Sequence, residues 1–323
     1  MRRRPLLLTA LAAPWAAPWA APAAQAQSWP NRPIRLLVPV SAGGSVDALA
    51  RQISRHLAPL IGQAIAIENN GAGGGNVAFE AVARAAPDGH TLLAGWDSLA
   101  INPAVYPRVP FDPLVDFAPI IHLVSGAQVL AVKPDLPAQD LAQFLTLARA
   151  QNLSIGSPGN GSIGHLAAEM LKRRTDTNWT HVPYRGGGPA ITDLLAGHLD
   201  GVMLTLAAVI EHCRAGRLRP IGVSSAARVA ALPEAPTMAE QGVAGFDLVS
   251  WQGWLAPAGT PPAILARLNA GLSQVMALPE VASWVRGQAF DSVAGTQDAF
   301  ADLLRRDVAR WPALVQAAGA RVE

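Results

Sequence analysis

The hydrophobic pattern repeats a single unit: a short apolar run, a glycine-rich turn, then a stretch with the apolar spacing of a helix. The first case is the clearest. Residues 34–38 form a buried strand, and Val40, Ser41, Ala42, Gly43, Gly44 and Ser45 make the turn. Asp47 then opens an amphipathic helix over 47–60 that stops at Gly62. The same order predicts a strand over 65–68, the turn 69–76, a helix over 77–85 and a strand over 91–94. β-α-β-α-β order of this kind means parallel strands joined by crossover helices, hence an α/β fold. In such sheets ligands sit at the carboxyl ends of the strands. The turns 40–45 and 69–76, and a loop over 95–102, should all lie there.

A proline-rich connection, Pro103, Pro107, Pro110, Pro113 and Pro119, leads to a strand over 129–132 and a helix over 141–150. A second α/β unit follows. It has a strand over 153–156, the turn Ser157-Pro158-Gly159-Asn160-Gly161-Ser162, a helix over 166–173 and a strand over 180–183. Tyr184-Arg185-Gly186-Gly187-Gly188 leads to a helix over 190–196, and strands at 201–204 and 219–223 flank a helix near 209–214. The chain ends in a strand over 251–257 and helices over 262–276, 279–287 and 297–318. Two such units facing each other would place backbone donors on both sides of one cleft.

The glycine turns matter chemically because a helix start carries unpaired N–H groups and favours anions. Asp47 beside such a turn would repel a bound anion. Its expected job is therefore to accept bonds from turn or helix N–H groups and shape the turn; the alternative, as a ligand contact, is to meet a ligand ammonium or a bound water.

With 323 residues, half of them hydrophobic, the chain can bury a substantial core in one large or two smaller domains. Residues 1–26 stand apart. Arg2-Arg3-Arg4, an apolar core over 6–13 and Ala24-Gln25-Ala26 form a signal-peptide pattern, with cleavage expected after Ala26. Its removal takes three arginines and no acid, so the net charge moves from +2 to −1. No global positive field then attracts an anion, and specificity for one must be local. Lys133 and Lys172 are the two lysines, and with no basic run a nucleic-acid partner has no support. The single cysteine, Cys213, excludes an internal disulfide and is expected to be a packing residue.

Gly159-Asn160-Gly161-Ser162-Ile163-Gly164 fits the G-x-G-x-x-G spacing between a strand and a helix. The acid that a dinucleotide site needs at the end of the next strand is absent: that strand runs into Val182-Pro183-Tyr184. Neither a G-x-S-x-G elbow nor a P-loop occurs. The carboxylates Asp47, Glu68, Asp97, Glu169, Asp193 and Asp200 are scattered over different elements. No catalytic pair, metal site or cofactor is predicted. Trp96 and Asp97 fall together at a strand's carboxyl end.

Many short patterns stand in one order along the mature chain: Trp29-Pro30-x-Arg32-Pro33-Ile34-Arg35, Val38-Pro39 through Gly43-Gly44 to Asp47, Gly71-Ala72-Gly73-Gly74 with Asn76, and Ala86-Pro87-Asp88-Gly89. Ile101-Asn102-Pro103, Asp116-Phe117-Ala118-Pro119, Gly159-Asn160-Gly161-Ser162 with His165, His181-Val182-Pro183-Tyr184, Gly216-Arg217-Leu218-Arg219 and Trp251-x-Gly253 continue the series. Together they resemble the extracytoplasmic solute receptors of tripartite tricarboxylate transporters, the Bug family. The resemblance implies a periplasmic, two-domain α/β fold of the type II binding-protein kind with a hinged cleft. Residues 27–128 plus 249–323 would form one domain and 129–248 the other. It implies a small carboxylate ligand held largely by backbone N–H groups. Carried over by position, contacts would come from Ser41, Ala42, Gly43, Gly44 and Ser98 on one side. On the other they would come from Ser157, Gly159, Asn160, Gly161, Ser162, His165 and Tyr184.

The chain departs from the family at three of these places. Val40 replaces an aromatic residue, Trp96 a threonine or serine, and Thr205 stands where Asp or Asn is usual. A pocket that has lost a polar anchor and moved its aromatic wall favours a less polar or aromatic carboxylate over citrate. A receptor delivering ligand to a membrane transporter is the first functional reading. A sensor presenting ligand to a signalling partner is the second, and a nucleotide-binding α/β enzyme the third.

Overall fold

A computed structural model describes residues 29–321. The signal-peptide pattern and its cleavage point lie outside that range.

The first lobe follows the predicted order. Strand β1 (Ile34–Val38) is joined by helix α1 (Ser45–Ile61) to β2 (Ile65–Asn69), and α2 (Asn76–Ala83) leads to β3 (Thr91–Trp96). All three strands are parallel, with β1 in the centre. Helix α1 forms because Leu49, Ile53 and Leu57 recur at helical spacing and bury one face. It ends at Gly62, which adopts φ +75° as a left-handed cap.

Two sequence expectations fail next, both at prolines. The loop expected over 95–102 is instead the end of β3, the single residue Asp97, and helix α3 (Ser98–Val105), which runs through Pro103. A proline inside a helix removes one bond. Here Leu99, Ile101 and Val105 bury the helix into the core, and Asn102 pins it by donating to Gly74 O (3.1 Å) and to Asn76 Oδ1 (2.6 Å). The strand expected over 129–132 is the last quarter of a 16-residue strand, β4 (Phe117–Val132). It absorbs Pro119 at a register shift against its neighbour.

The second lobe contains α4 (Leu141–Ala150), β5 (Ser154–Ser157), α5 (Ile163–Thr175), β6 (Thr180–Pro183), α6 (Gly187–Ala196), β7 (Gly201–Thr205), α7 (Leu206–Arg214) and β8 (Arg219–Val223). Strands β5, β6 and β7 are parallel. The chain then returns through β9 (Val249–Pro257) and closes with α8 (Pro262–Ala277), α9 (Pro279–Gly287), a short β10 (Asp291–Ser292) and α10 (Gln297–Ala318).

The long strand β4 ties the lobes together. Over residues 117–127 it pairs with β9 in the first sheet, and from Gln128 onward with β7 and β8 in the second. Strand β9 also pairs with β3, Trp96 standing opposite Gln252. The order across both sheets is β2-β1-β3-β9-β4-β7-β5-β6. The carboxyl ends of β1, β2 and β3 therefore face those of β5, β6 and β7 across a seam floored by β4 and β9. Helix α10 lays Phe300, Leu304, Trp311 and Val315 into the core. Cys213, on α7, is partly buried, and burial and the nearby Glu234 push its thiol up to about 12.

Candidate functional site

The seam is lined by helix starts and by the glycine turns that precede them. Gly44 and Gly186 stand at the N-cap positions of α1 and α6, and neither helix has a side-chain cap. The two starts meet across the seam: a Cβ placed on Gly44 would lie 3.4 Å from Gly187 N. A Cβ on Gly188 would overlap the Ala42 carbonyl oxygen and sit 3.2 Å from the Gly43 carbonyl carbon. Glycine on both sides is what permits this approach.

The turn before α1 is built as expected of a shaping carboxylate. Gly43 adopts φ +89° and donates its N–H to Asp47 Oδ2 at 3.0 Å. Asp47 also accepts from Asn69 Nδ2 (2.9 Å) and Arg51 (2.9 Å), and Asn69 Nδ2 reaches Val40 O as well. Burial pushes the Asp47 carboxyl up. The bonds from Arg51, Gly43 and Asn69 and the Arg51 charge outweigh it and hold the group below its ordinary range. Val40 is buried, and Ser41 N–H donates to Arg185 O of the opposite lobe at 2.6 Å.

The second contact lies between α3 and α5. Ser98 is fully buried and its hydroxyl donates to Gly161 O at 2.8 Å. Tyr106 donates to Asn160 O at 3.3 Å. Ser162 caps α5, accepting from His165 N–H at 3.1 Å and donating to Gly159 O at 2.7 Å. Gly159 and Gly161 adopt φ +130° and +75°. The turn is held from below by Ser157, whose hydroxyl accepts from Gly159 N–H and lies 2.6 Å from His181 Nε2. His165 stacks on His181, with ring centroids 4.2 Å apart. Burial, then His181 and Lys172, push the His165 imidazole down to about 3, so it is neutral at physiological pH.

Tyr184 is turned into its own lobe. Its hydroxyl donates to Asp193 at 2.6 Å, and burial together with that bond pushes it up to about 12. Thr205, at the end of β7, accepts from Gln128 Nε2 at 3.2 Å on the floor. Trp96 is 4% exposed and its Nε1–H has no partner. The structure thus brings residues 40–44, Ser98 and the 157–165 turn to one seam, while the Tyr184 hydroxyl points elsewhere.

Several residues at the seam escape sequence reasoning. Gly186, Gly187 and Gly188 repeat the composition of the first turn, a signal that was available. Gln128 and Gln252 lie on strands β4 and β9, and apolar periodicity gives no reason to single them out. Each amide has one end on a hydroxyl, Gln252 Nε2 on Ser45 Oγ at 3.2 Å, and each Oε1 is buried without a partner. Asp97 is completely buried. Its carboxylate accepts from the Ser250 hydroxyl and from Ile163 N–H (3.4 Å), the first amide of α5. Burial pushes it up to about 7; the Ser250 bond opposes this and the Asp307 charge adds to it. Among the described residues no group of three His, Cys, Asp or Glu side chains is placed to hold a metal ion.

Comparison with known proteins agrees with this architecture. The profile of the tripartite tricarboxylate transporter family receptors matches residues 49–320. A UPF0065 protein from the tcbD-tcbE intergenic region of Pseudomonas sp. strain P51 is 37% identical over 97% of this chain and 94% of its own length. Protein BugT of Bordetella pertussis is 32% identical over 92% and 93%. Among solved structures, Rpa4515 of R. palustris with adipate superposes with a TM-score of 0.88 at 32% identity, covering 91% of this chain and all of that one. MatC of Rhodopseudomonas palustris with bound malate gives 0.84 at 30%, covering 89% and all. The periplasmic binding protein BugD gives 0.87 at 28%, covering 91% and all. Matched in this way along nearly its whole length, the chain belongs to the tripartite tricarboxylate transporter receptor family, among the Bug proteins.

Proposed function

We propose that this protein is an exported receptor that captures a small carboxylate between its two lobes and delivers it to a tripartite tricarboxylate-type membrane transporter. The lobes are residues 27–128 with 249–323, and 129–248, with cleavage after Ala26. The observation that carries the reading is the meeting of the uncapped starts of α1 and α6. There, glycine backbone from both lobes comes into contact, Gly44 against Gly187 and Gly43 against Gly188, with no side chain between them. The ligand carboxylate takes its bonds from the Ala42 and Gly44 N–H groups and from the start of α6, the Ser41 and Gly43 N–H groups being held by Arg185 O and Asp47. The 159–162 turn, Ser98, Trp96 and Thr205 shape the remainder. Relatives with adipate and malate support the ligand class. A hydrogen bond to a charged group contributes roughly 1.5–3 kcal/mol. Four or five of them, less the cost of ordering the complex, are enough for micromolar binding, which requires about 8 kcal/mol. β4 and β9 act as the hinge, and a membrane partner reads the closed form. No helix among the described residues is long and apolar enough to cross a membrane.

A thermal-shift screen of the purified, refolded protein tests the reading. Ligand at a hundredfold its Kd adds about 2.7 kcal/mol. Shifts confined to carboxylates are expected. A shift with nucleotides or sugars and none with carboxylates would overturn it.

A further inference from the structure

Where α3 meets the turn before α5, the seam is bridged by side-chain hydroxyls. Ser98 Oγ donates to Gly161 O at 2.8 Å and the Tyr106 hydroxyl to Asn160 O at 3.3 Å. Both donors belong to the first lobe and both acceptors to the second. Ser98, Asn102 and Tyr106 are spaced four apart, so α3 and its cap present all three along one face. Among the described residues neither hydroxyl has a second partner. Both bonds therefore pass to water when the lobes part.

The fit around these bonds fixes the approach. A Cβ on Gly161 would overlap Asn102 Oδ1 and stand 3.4 Å from Tyr106 Cε2. One on Gly74 would overlap the Tyr106 hydroxyl and lie 2.8 Å from Asn160 O. Asn102 is itself pinned within the first lobe by Gly74 O and Asn76. What the hydroxyls hold also matters. A carbonyl oxygen carries the wrong sign for a carboxylate, and these two are tied to the protein. Each hydroxyl has one proton to donate, and both are spent on those carbonyls, leaving none for a ligand.

We infer that Ser98 and Tyr106 are positioning residues for capture: they clasp the second lobe by the carbonyl oxygens of its glycine turn, and so favour closure by the same amount whichever carboxylate is bound. The inference rests on the two-lobe receptor reading and deepens it. The clasp exists in the closed form alone. Losing it lowers the share of that form, and apparent affinity falls in proportion. Because the clasp gives no bond to the ligand, the loss is common to all ligands.

Titration calorimetry tests it, with a panel of straight-chain and aromatic carboxylates that includes adipate, malate, hexanoate and benzoate. The proteins are the wild type, Tyr106→Phe and Ser98→Ala, each checked for a cooperative melt. Both substitutions keep the packing and remove the hydroxyl. In each variant the Kd of every probe that the wild type binds should rise by one common factor, about threefold to tenfold for a single hydrogen bond. An unchanged Kd in either folded variant, with or without a lowered stoichiometry, would overturn the inference and leave the receptor reading intact. So would losses that differ more than about threefold between probes, which would make the hydroxyls ligand contacts. Binding of no carboxylate by the wild type would overturn both.

Discussion

Gly188→Ala separates ligand capture from folding. Gly188 lies in the first turn of α6 immediately before Pro189, where a Cβ meets the proline ring, so alanine gains no helix stability there. The new methyl would overlap the Ala42 carbonyl oxygen and approach the Gly43 carbonyl carbon to 3.2 Å, both in the opposite lobe. The lobes can escape only by staying apart. Overpacking of this kind costs about 1–3 kcal/mol, which is roughly fivefold to a hundredfold in affinity at about 1.4 kcal/mol per decade. Titration calorimetry with the tightest carboxylate, and melting of the ligand-free proteins, give the two readouts. Gly188→Ala should keep a single cooperative melt while losing affinity. Binding by Gly188→Ala within twofold of wild type would refute the closed seam as the binding state.

Three further outcomes follow from the same geometry. Asp97 is held at about 7 against an ordinary 3.8 by burial and by Asp307, itself paired with Arg310, while Ser250 and Ile163 N–H oppose the rise. The folded protein thus keeps a proton there that the unfolded chain has lost. Wild-type stability should fall relative to Asp97→Asn as pH rises from about 4 to 7, by up to about 4 kcal/mol. Denaturant unfolding at pH 4.5 and 7.5 checks this, and a difference independent of pH contradicts it. Asp47→Asn keeps one acceptor oxygen where the carboxylate has two, so either Gly43 N–H or Asn69 Nδ2 loses its acceptor, and Arg51 loses its charged partner. It should cost about 1–3 kcal/mol of stability at pH 7, a difference that shrinks as pH falls below the ordinary carboxylate range, because the folded-state group is held low. Trp96→Ala should weaken carboxylate binding at least tenfold, and equal affinity would remove the indole from the site.

Much of the fold was legible because strand, glycine turn and helix follow each other with clear periodicity at 34–62 and again at 154–175. What failed had specific causes. Pro103 and Pro119 read as breaks, yet the burial of Leu99, Ile101 and Val105 holds α3 together, and a register shift lets β4 pass Pro119. Both are decided by partners distant in the chain. The site divides in the same way. Residues 41–44 and 159–162 announce themselves by glycine. Asp97 was visible as one of six scattered carboxylates and, with Trp96, at a strand's carboxyl end; its role was not, since what distinguishes it is Ser250 and Ile163, 153 and 66 residues away. Gln128 and Gln252 become notable only once β4 and β9 are seen to floor the seam. The Tyr184 hydroxyl, turned to Asp193, shows that proximity in sequence to a glycine turn does not fix where a side chain points.

The most direct measurement is a crystal structure of the protein with a carboxylate from the thermal-shift screen. The account predicts the carboxylate between the lobes, its oxygens within about 2.7–3.2 Å of backbone N–H groups at the starts of α1 and α6, with the rest of the ligand against Trp96 and Gln252. A carboxylate held by arginine side chains, or bound outside the space between the lobes, would contradict it.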